Sequence, residues 1–382
     1  MIVVDASAVP DFPTGTRTRL RGLYGAYARS SAPAPVEIWL ARGSTLMDGV
    51  DLPDGGAVTV RQVARPGGPL RRAARAWFPR HGSKTATLWH SETIPPLGPR
   101  GRPGLLTLHD LRWHRQRADA GGSAIGHLLR HRAATRWLPG VLEKLDGVVT
   151  VSAATRAEIH RVLGVPHRKI HLVENAAFSA AEVDLDPESC TTLLQRLGIL
   201  EPYILSVGHL ERRKGLDLVL GALARAKPET ATATVQYVLV GDGPDRGRLE
   251  RMSQDLQLRP RVRFLGRRND QSVRALMQRC LALVFPSRIE GFGFPVFEAL
   301  GRGCPVLSTP LPCLEDVHQG GLIRSDPDAQ LWARKIHWIF HHRDELREEA
   351  RAQRRSLSAS TWERSAQQLA KVYTEVLENR AR

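Results

Sequence analysis

Two carboxylates eight residues apart, Glu290 and Glu298, bracket the segment EGFGFPVFE, and the residue types between them suit a backbone that meets a ligand. Gly291 and Gly293 carry no Cβ, so the chain there can approach a ligand without side-chain obstruction. Pro295 stands where the first turn of a helix tolerates proline, so the amides from Gly293 to Val296 are expected to open that helix. A helix start of this kind offers N–H groups and the positive end of the helix dipole, which suits a diphosphate. Glu290 lies before the turn and Glu298 one helical turn inside it. Each can accept paired hydrogen bonds from vicinal hydroxyls, one set on a sugar and the other on a ribose. The plainer alternative for either glutamate is a cap or an ion pair. A glycine loop alone says little, but one framed by two carboxylates, after an apolar run ending in Phe285-Pro286, says much more.

Alternating short and long apolar patterns must position this segment. In the first half, strand-like runs fall at 2–6, 36–41, 58–63, 86–90, 105–109, 147–151 and 170–173, with helical stretches at 16–30, 123–145 and 153–163. The runs are rich in Val, Ile and Leu without clean alternation, as in strands covered on both faces. A second series runs through strands at 203–207, 235–240, 262–265, 281–285 and 305–308, with helices at 216–226, 245–257, 271–279 and 295–302. The expected fold is α/β: two Rossmann-like doubly wound domains facing each other across a cleft, with ligands at the carboxyl ends of the strands. The boundaries read as residues 1–178, a linker at 179–200 that begins with the small and acidic run SAAEVDLDPESCTT, and residues 201–360. A closing helix at about 361–382 is expected to pack back on the first domain.

The glutamate segment resembles the C-terminal signature of the family 4 (group 1) retaining glycosyltransferases, which have the two-domain GT-B fold. The resemblance extends over nearly the whole chain. GHLERRKGLDLVLGAL (208–223) resembles that family's phosphate-contacting turn and helix, and VLVGDGPDRGRLE (238–250) the next strand and its glycine turn. In the first half, DFPTGTRTRL is similar to the glycine loop over the donor phosphates, and LLTLHDL to a strand ending in an active-site His-Asp. The resemblance implies roles residue by residue. Glu290 would contact the hydroxyls of the transferred sugar and Glu298 the ribose. The amides of Gly291, Phe292, Gly293 and Phe294 would line the sugar and phosphate pocket. Lys214, with Arg213, would neutralise the departing diphosphate. His109 would reach the sugar from the opposite domain, Gly15 would lie in the loop where acceptor and donor phosphate meet, and backbone near Leu265 would read the base. Retention of anomeric configuration is implied by the family as well.

Breaking a sugar–phosphate bond leaves a nucleoside diphosphate with developing negative charge, met either by a carboxylate-held metal or by fixed cations and amides. The only Asp-x-Asp pairs, Asp184/Asp186 and Asp326/Asp328, lie in the linker and near the helical end, so no metal site is expected. Histidines at helical spacing (His127/His131 and His337/His341) and four scattered cysteines offer no fuller ligand set. The sequence departs from many relatives at His209, where they carry an arginine five residues before the lysine. Arg212 and Arg213 are the candidates to replace it, since a guanidinium grips phosphate in a way neutral histidine does not.

The 382 residues, 42% hydrophobic, suffice for two cores, and no stretch is long and apolar enough to span a bilayer. A net charge of +16, most of it within residues 1–182, favours anionic partners but also fits an arginine-rich compositional habit. PLRRAARAWFPRHG (69–82) sets Arg71, Arg72, Arg75 and Arg80 beside Trp77 and Phe78. It reads either as a surface helix packed by Trp77 or as a peripheral contact with an anionic membrane. The expectation is a cytoplasmic hexosyltransferase, with peripheral contact at the inner face of the membrane as the second reading of that segment. It needs no cofactor beyond a UDP-, GDP- or dTDP-sugar co-substrate and acts on a glycan or lipid-linked acceptor. Competing readings are an inactive homologue serving as a binding subunit, a nucleotide-sugar epimerase, and a basic nucleic-acid-binding protein. The few aromatics, not interleaved with the arginines, speak against the last, so no nucleic-acid partner is expected.

Overall fold

The Val- and Leu-rich runs form parallel strands because helices on both faces exclude water from either side. The computed structural model describes residues 1–11, 14–31, 34–53, 55–63, 86–94, 102–112, 137–176, 184–226, 231–317, 320–357 and 360–381. These divide into two units, one made of the described residues up to 176 together with 360–381, the other of residues 184–357. The 69–82 segment and His127/His131 lie outside the described residues, as does 123–136; the rest of that expected helix is helical over 137–144.

The first unit carries strands β1 (Ile2–Asp5), β2 (Val36–Ala41), β3 (Val58–Val63), β4 (Leu88–Ser91), β5 (Gly104–Leu108), β6 (Gly147–Thr150) and β7 (Ile170–Leu172). They lie in the order β3-β2-β1-β4-β5-β6-β7, every pair parallel. Helix α1 (Gly15–Arg29) follows β1, and Thr14 caps it by accepting from the Arg17 amide. Helix α2 (Ala153–Leu163) is capped by Ser152 and ends on Gly164 at φ +67°.

The second unit opens with α3 (Pro187–Arg196), so the expected linker holds a helix. Asp186 accepts from the Ser189 amide at its start and Pro187 occupies the first turn. Strands β8 (Tyr203–Val207), β9 (Gln236–Val240), β10 (Val262–Gly266), β11 (Ala282–Phe285), β12 (Val306–Ser308) and β13 (Leu322–Arg324) order as β10-β9-β8-β11-β12-β13, again all parallel. Between them lie α4 (Leu216–Leu223), α5 (Arg246–Asp255), α6 (Asp270–Arg279) and α7 (Phe294–Gly301), followed by α8 (Ala329–His341) and α9 (Arg343–Leu357). Alternate residues feed two cores: Tyr203, Leu205, Leu283 and Phe285 pack on one face, Ile204, Ala282 and Val284 on the other.

Helix α10 (Trp362–Ala381) belongs to the first unit and packs along α1. Its Ala366, Leu369, Val372, Tyr373 and Val376 share one core with Leu20, Leu23 and Tyr24 of α1 and with β1 and β2. In each sheet the strand order reverses once, between β1 and β4 and between β8 and β11. Loops diverge at such a point and leave room for a ligand.

Candidate active site

The loop after β8 begins with Gly208 at φ +140°, whose amide bonds the Val240 carbonyl at 2.9 Å. Gly241, at φ +128°, lies so close that a Cβ there would stand 1.9 Å from the Gly208 carbonyl oxygen. A Cβ on Gly243 would stand 2.3 Å from the Leu210 oxygen. These two glycines therefore serve close packing of one loop on the next. A short turn at Arg212–Lys214 ends on Gly215, φ +61°, pressed against the Pro286 carbonyl after β11. A pocket forms at this reversal point, walled by Gly208, His209, Leu210, Lys214, Pro286 and Ser287.

Glu290 sits at its edge, bonded to two cations. Lys214 Nζ donates to Glu290 Oε1 at 2.6 Å, and Arg213 Nη1 donates to the same oxygen at 3.2 Å. Arg213 also donates to the Ile289 carbonyl at 3.2 Å and to Glu211 at 2.9 Å. Burial would raise the Glu290 carboxyl, but Lys214 and Arg213 outweigh it and hold it below the usual range. Burial, with Arg213 alongside, lowers the Lys214 pKa against the opposing pull of Glu290. Arg212 points elsewhere: its side chain is 60% exposed and 4.0 Å from Asp245. Of the two arginines offered as replacements at His209, Arg213 is the one built into the cluster.

Gly293, at φ +92°, begins α7 with no side-chain cap and Pro295 in the first turn, as the residue types required. Phe292 stacks on Phe297 at 4.5 Å and meets Phe294 edge-on at 4.9 Å, which fixes the loop. Glu298 lies half-buried one turn along, where Arg302 donates to its carbonyl at 3.0 Å. Leu265 occupies a bulge of β10: Phe264 and Gly266 pair with consecutive residues of β9, and Leu265 has no partner there. The second residue of each Asp-x-Asp pair caps a helix, Asp186 on α3 and Asp328 on α8.

In the first unit, Gly15 is the first residue of α1, a correction to its expected place in the loop; its backbone is helical. His109 follows β5 and faces a carboxylate that sequence reasoning missed. Glu92, 1% exposed beyond the end of β4, places Oε2 3.7 Å from His109 Nε2. Asp110 turns to the Arg112 guanidinium instead, at 2.9 Å. Arg19 of α1 is fully buried nearby, donating to the Val173 carbonyl at 2.9 Å and to Asn175 at 2.5 Å. Tyr24 donates to Glu92 at 3.3 Å. His90 bonds Tyr373 and Thr107, each at 2.8 Å.

Residues 196–356 match the family described as Glycosyl transferases group 1, and residues 40–177 the one described as Glycosyltransferase Family 4. The chain belongs to the family 4 (group 1) glycosyltransferases. This chain is 28% identical over 193 residues to O-antigen chain mannosyltransferase B of Escherichia coli, covering 49% of this chain and 50% of that protein. It is 25% identical over 189 residues to O-antigen chain mannosyltransferase RfbU of Salmonella typhimurium, covering 50% and 49% respectively. The chain thus spans about half the length of the curated relatives it matches. Its fold is similar to that of Anabaena HepE, solved in complex with UDP and glucose, with a TM-score of 0.76 and 20% identity over 98% of this chain and 99% of HepE. The two parallel sheets and this likeness bear out the expected GT-B class with two Rossmann-like domains.

The buried His90 makes the first unit sensitive to acid. Burial lowers the His90 pKa from 6.5 to about 3, with Arg19 and His109 acting in the same direction. Below its ordinary pKa the unfolded chain takes up a proton that the folded chain refuses, so stability falls between those values. The expected loss is about 1.4 kcal/mol per pH unit from this residue. Urea unfolding near neutral pH and about two units lower should show it, and His90→Gln should remove this residue's share while leaving that of His109, whose pKa is also lowered to about 3.

Proposed function

We propose that this glycosyltransferase moves a hexosyl group from a nucleotide-sugar to a glycan or lipid-linked acceptor, with retention of configuration and without a metal ion. The observation that carries the reading is the Lys214–Glu290–Arg213 cluster at the strand-order reversal, beside the uncapped start of α7. A diphosphate arriving there meets Lys214 and the positive end of α7, and shares the Lys214 ammonium with Glu290. Glu290 then has lone pairs for sugar hydroxyls, and Glu298 holds the ribose. Leaving-group charge develops against cations already in place, each well-placed donor contributing on the order of 3 kcal/mol. The bulge at Leu265 offers backbone groups to the base, Gly15 lets the donor phosphate approach α1, and neutral His109 meets a substrate hydroxyl. Use of Asp186 and Asp328 as helix caps supports a metal-free mechanism.

The relatives named O-antigen mannosyltransferases support a growing cell-surface glycan as acceptor. Among the described residues no helix is long and apolar enough to cross a membrane. A place in the cytoplasm, against the membrane's inner face, fits such an acceptor. The test is thermal unfolding with a panel of UDP, GDP, dTDP and their sugars, with and without EDTA. A nucleotide at about 100 times its Kd should stabilise the fold by about 2.7 kcal/mol. A selective shift indifferent to EDTA supports the reading and names the base. A shift that EDTA removes overturns metal independence, and no shift with any nucleotide overturns the donor site. Binding without transfer to any acceptor would favour the inactive binding subunit.

A further inference from the structure

The first unit buries more polar machinery behind His109 than a core requires. Arg19, Glu92 and His90 are each at most 1% exposed, and they come from α1 and from the end of β4. Glu92 Oε1 accepts from Tyr24, while Oε2 points at His109. His109 Nε2 is itself buried and has no hydrogen-bond partner, although the side chain as a whole is 22% exposed. The ring therefore turns Nε2 inward to Glu92 while part of the side chain reaches the surface. Arg19 balances the Glu92 charge without reaching ion-pair distance: its Nη1 is engaged by Val173 and Asn175, and its Nε and Nη2 have no partner.

We infer that Glu92 is a positioning residue, holding His109 in the Nε2–H tautomer so that Nδ1 is an acceptor for a substrate hydroxyl. A neutral imidazole has one donor and one acceptor nitrogen, and the partner of one nitrogen decides the state of the other. Burial raises the Glu92 carboxyl, and Arg19 opposes that rise; in its ionised form the carboxylate can only accept, so it fixes the proton on the nitrogen facing it. At 3.7 Å the two atoms face each other without a hydrogen bond, and on this inference they close to hydrogen-bond length when substrate is bound. Burial and the Arg19 charge lower the His109 pKa to about 3, which keeps the ring neutral in the working range. His109 then accepts from a hydroxyl rather than donating to an oxygen. This inference rests on the transferase reading for its kinetic consequence but not for the tautomer itself.

The tautomer is read by two-bond proton–nitrogen correlation on protein labelled with [15N]histidine near neutral pH, with His109→Gln to assign the ring. The expected wild-type pattern is a proton on Nε2 and none on Nδ1; an Nδ1–H or doubly protonated ring overturns the inference. Glu92→Gln should release the tautomer into a mixture and lower kcat about 10- to 100-fold, with KM for the donor little changed. If the single variant unfolds, Arg19→Met with Glu92→Gln removes both buried charges together and takes its place. A well-folded variant that keeps both the wild-type tautomer and kcat also overturns it. Wild-type protein that transfers no sugar counts against the proposed activity and leaves the tautomer measurement to decide this inference.

Discussion

Lys214→Ala is expected to transfer sugar about 10²- to 10³-fold more slowly than the wild-type chain, with the fold intact. Lys214 is nearly enclosed and its Nζ lies 2.6 Å from Glu290 and 5.3 Å from the Phe285 ring centroid, so it has little freedom to point elsewhere. A cation fixed in a desolvated pocket acts on developing charge far more strongly than one in water, and needs no reorganisation as the bond breaks. The substitution leaves Glu290 paired with Arg213, so no carboxylate is stranded. Lys214→Arg should not restore activity, because a planar fork does not replace a compact ammonium. Initial rates with the donor found by the nucleotide panel give the result. A loss under about tenfold would remove Lys214 from the mechanism.

Gly241→Ala should destabilise the second unit by about 3 kcal/mol or more, lowering its melting temperature by roughly 10 °C. Both its φ of +128° and the 1.9 Å approach to the Gly208 oxygen forbid a Cβ, and the obstructing atom is backbone rather than a side-chain end. Relief requires moving the 208–210 loop, which walls the pocket, so nucleotide-induced stabilisation should also vanish. Gly164→Ala is the comparison: φ is +67°, nothing lies within 4 Å of the added Cβ, and about 1 kcal/mol is expected. Calorimetry that shows equal losses for the two would mean that the contact between the loops is not the source of the strain.

The glutamate segment was legible because its parts are neighbours in sequence: strand, glycine turn, proline and helix follow within a few residues, so spacing alone fixes their geometry. The Lys214 turn lies 76 residues earlier, and only the resemblance linked it to Glu290. Its internal bonding to Glu290 was not foreseen, because residue types suited to a ligand also suit one another. The Glu92–His109–Arg19 arrangement was illegible for a different reason. Its members sit on separate elements, and Glu92 follows an apolar run without a glycine or proline signal. A carboxylate just beyond a buried strand was the one available clue. Helix α3 was obscured by small acidic residues that read as linker, although Asp186-Pro187 is also a good capping pair. Gly15 reads as a loop glycine within DFPTGTRTRL, but Thr14 before it is a cap residue that makes it the first helical position.

The return of α10 to the first unit has a consequence for synthesis. Domains usually complete in order as the ribosome emits them. Here the first unit's core needs Ala366, Leu369, Val372, Tyr373 and Val376, and the Tyr373 hydroxyl bonds both Tyr24 and His90. Until the chain has been read past residue 376, α1 has an uncovered apolar face and Tyr24 and His90 lack that polar partner. The second unit, contiguous over 184–357, has all its strands before that point. The unit made first is therefore finished last, and a stalled or clipped chain carries an intact second sheet beside an open first one.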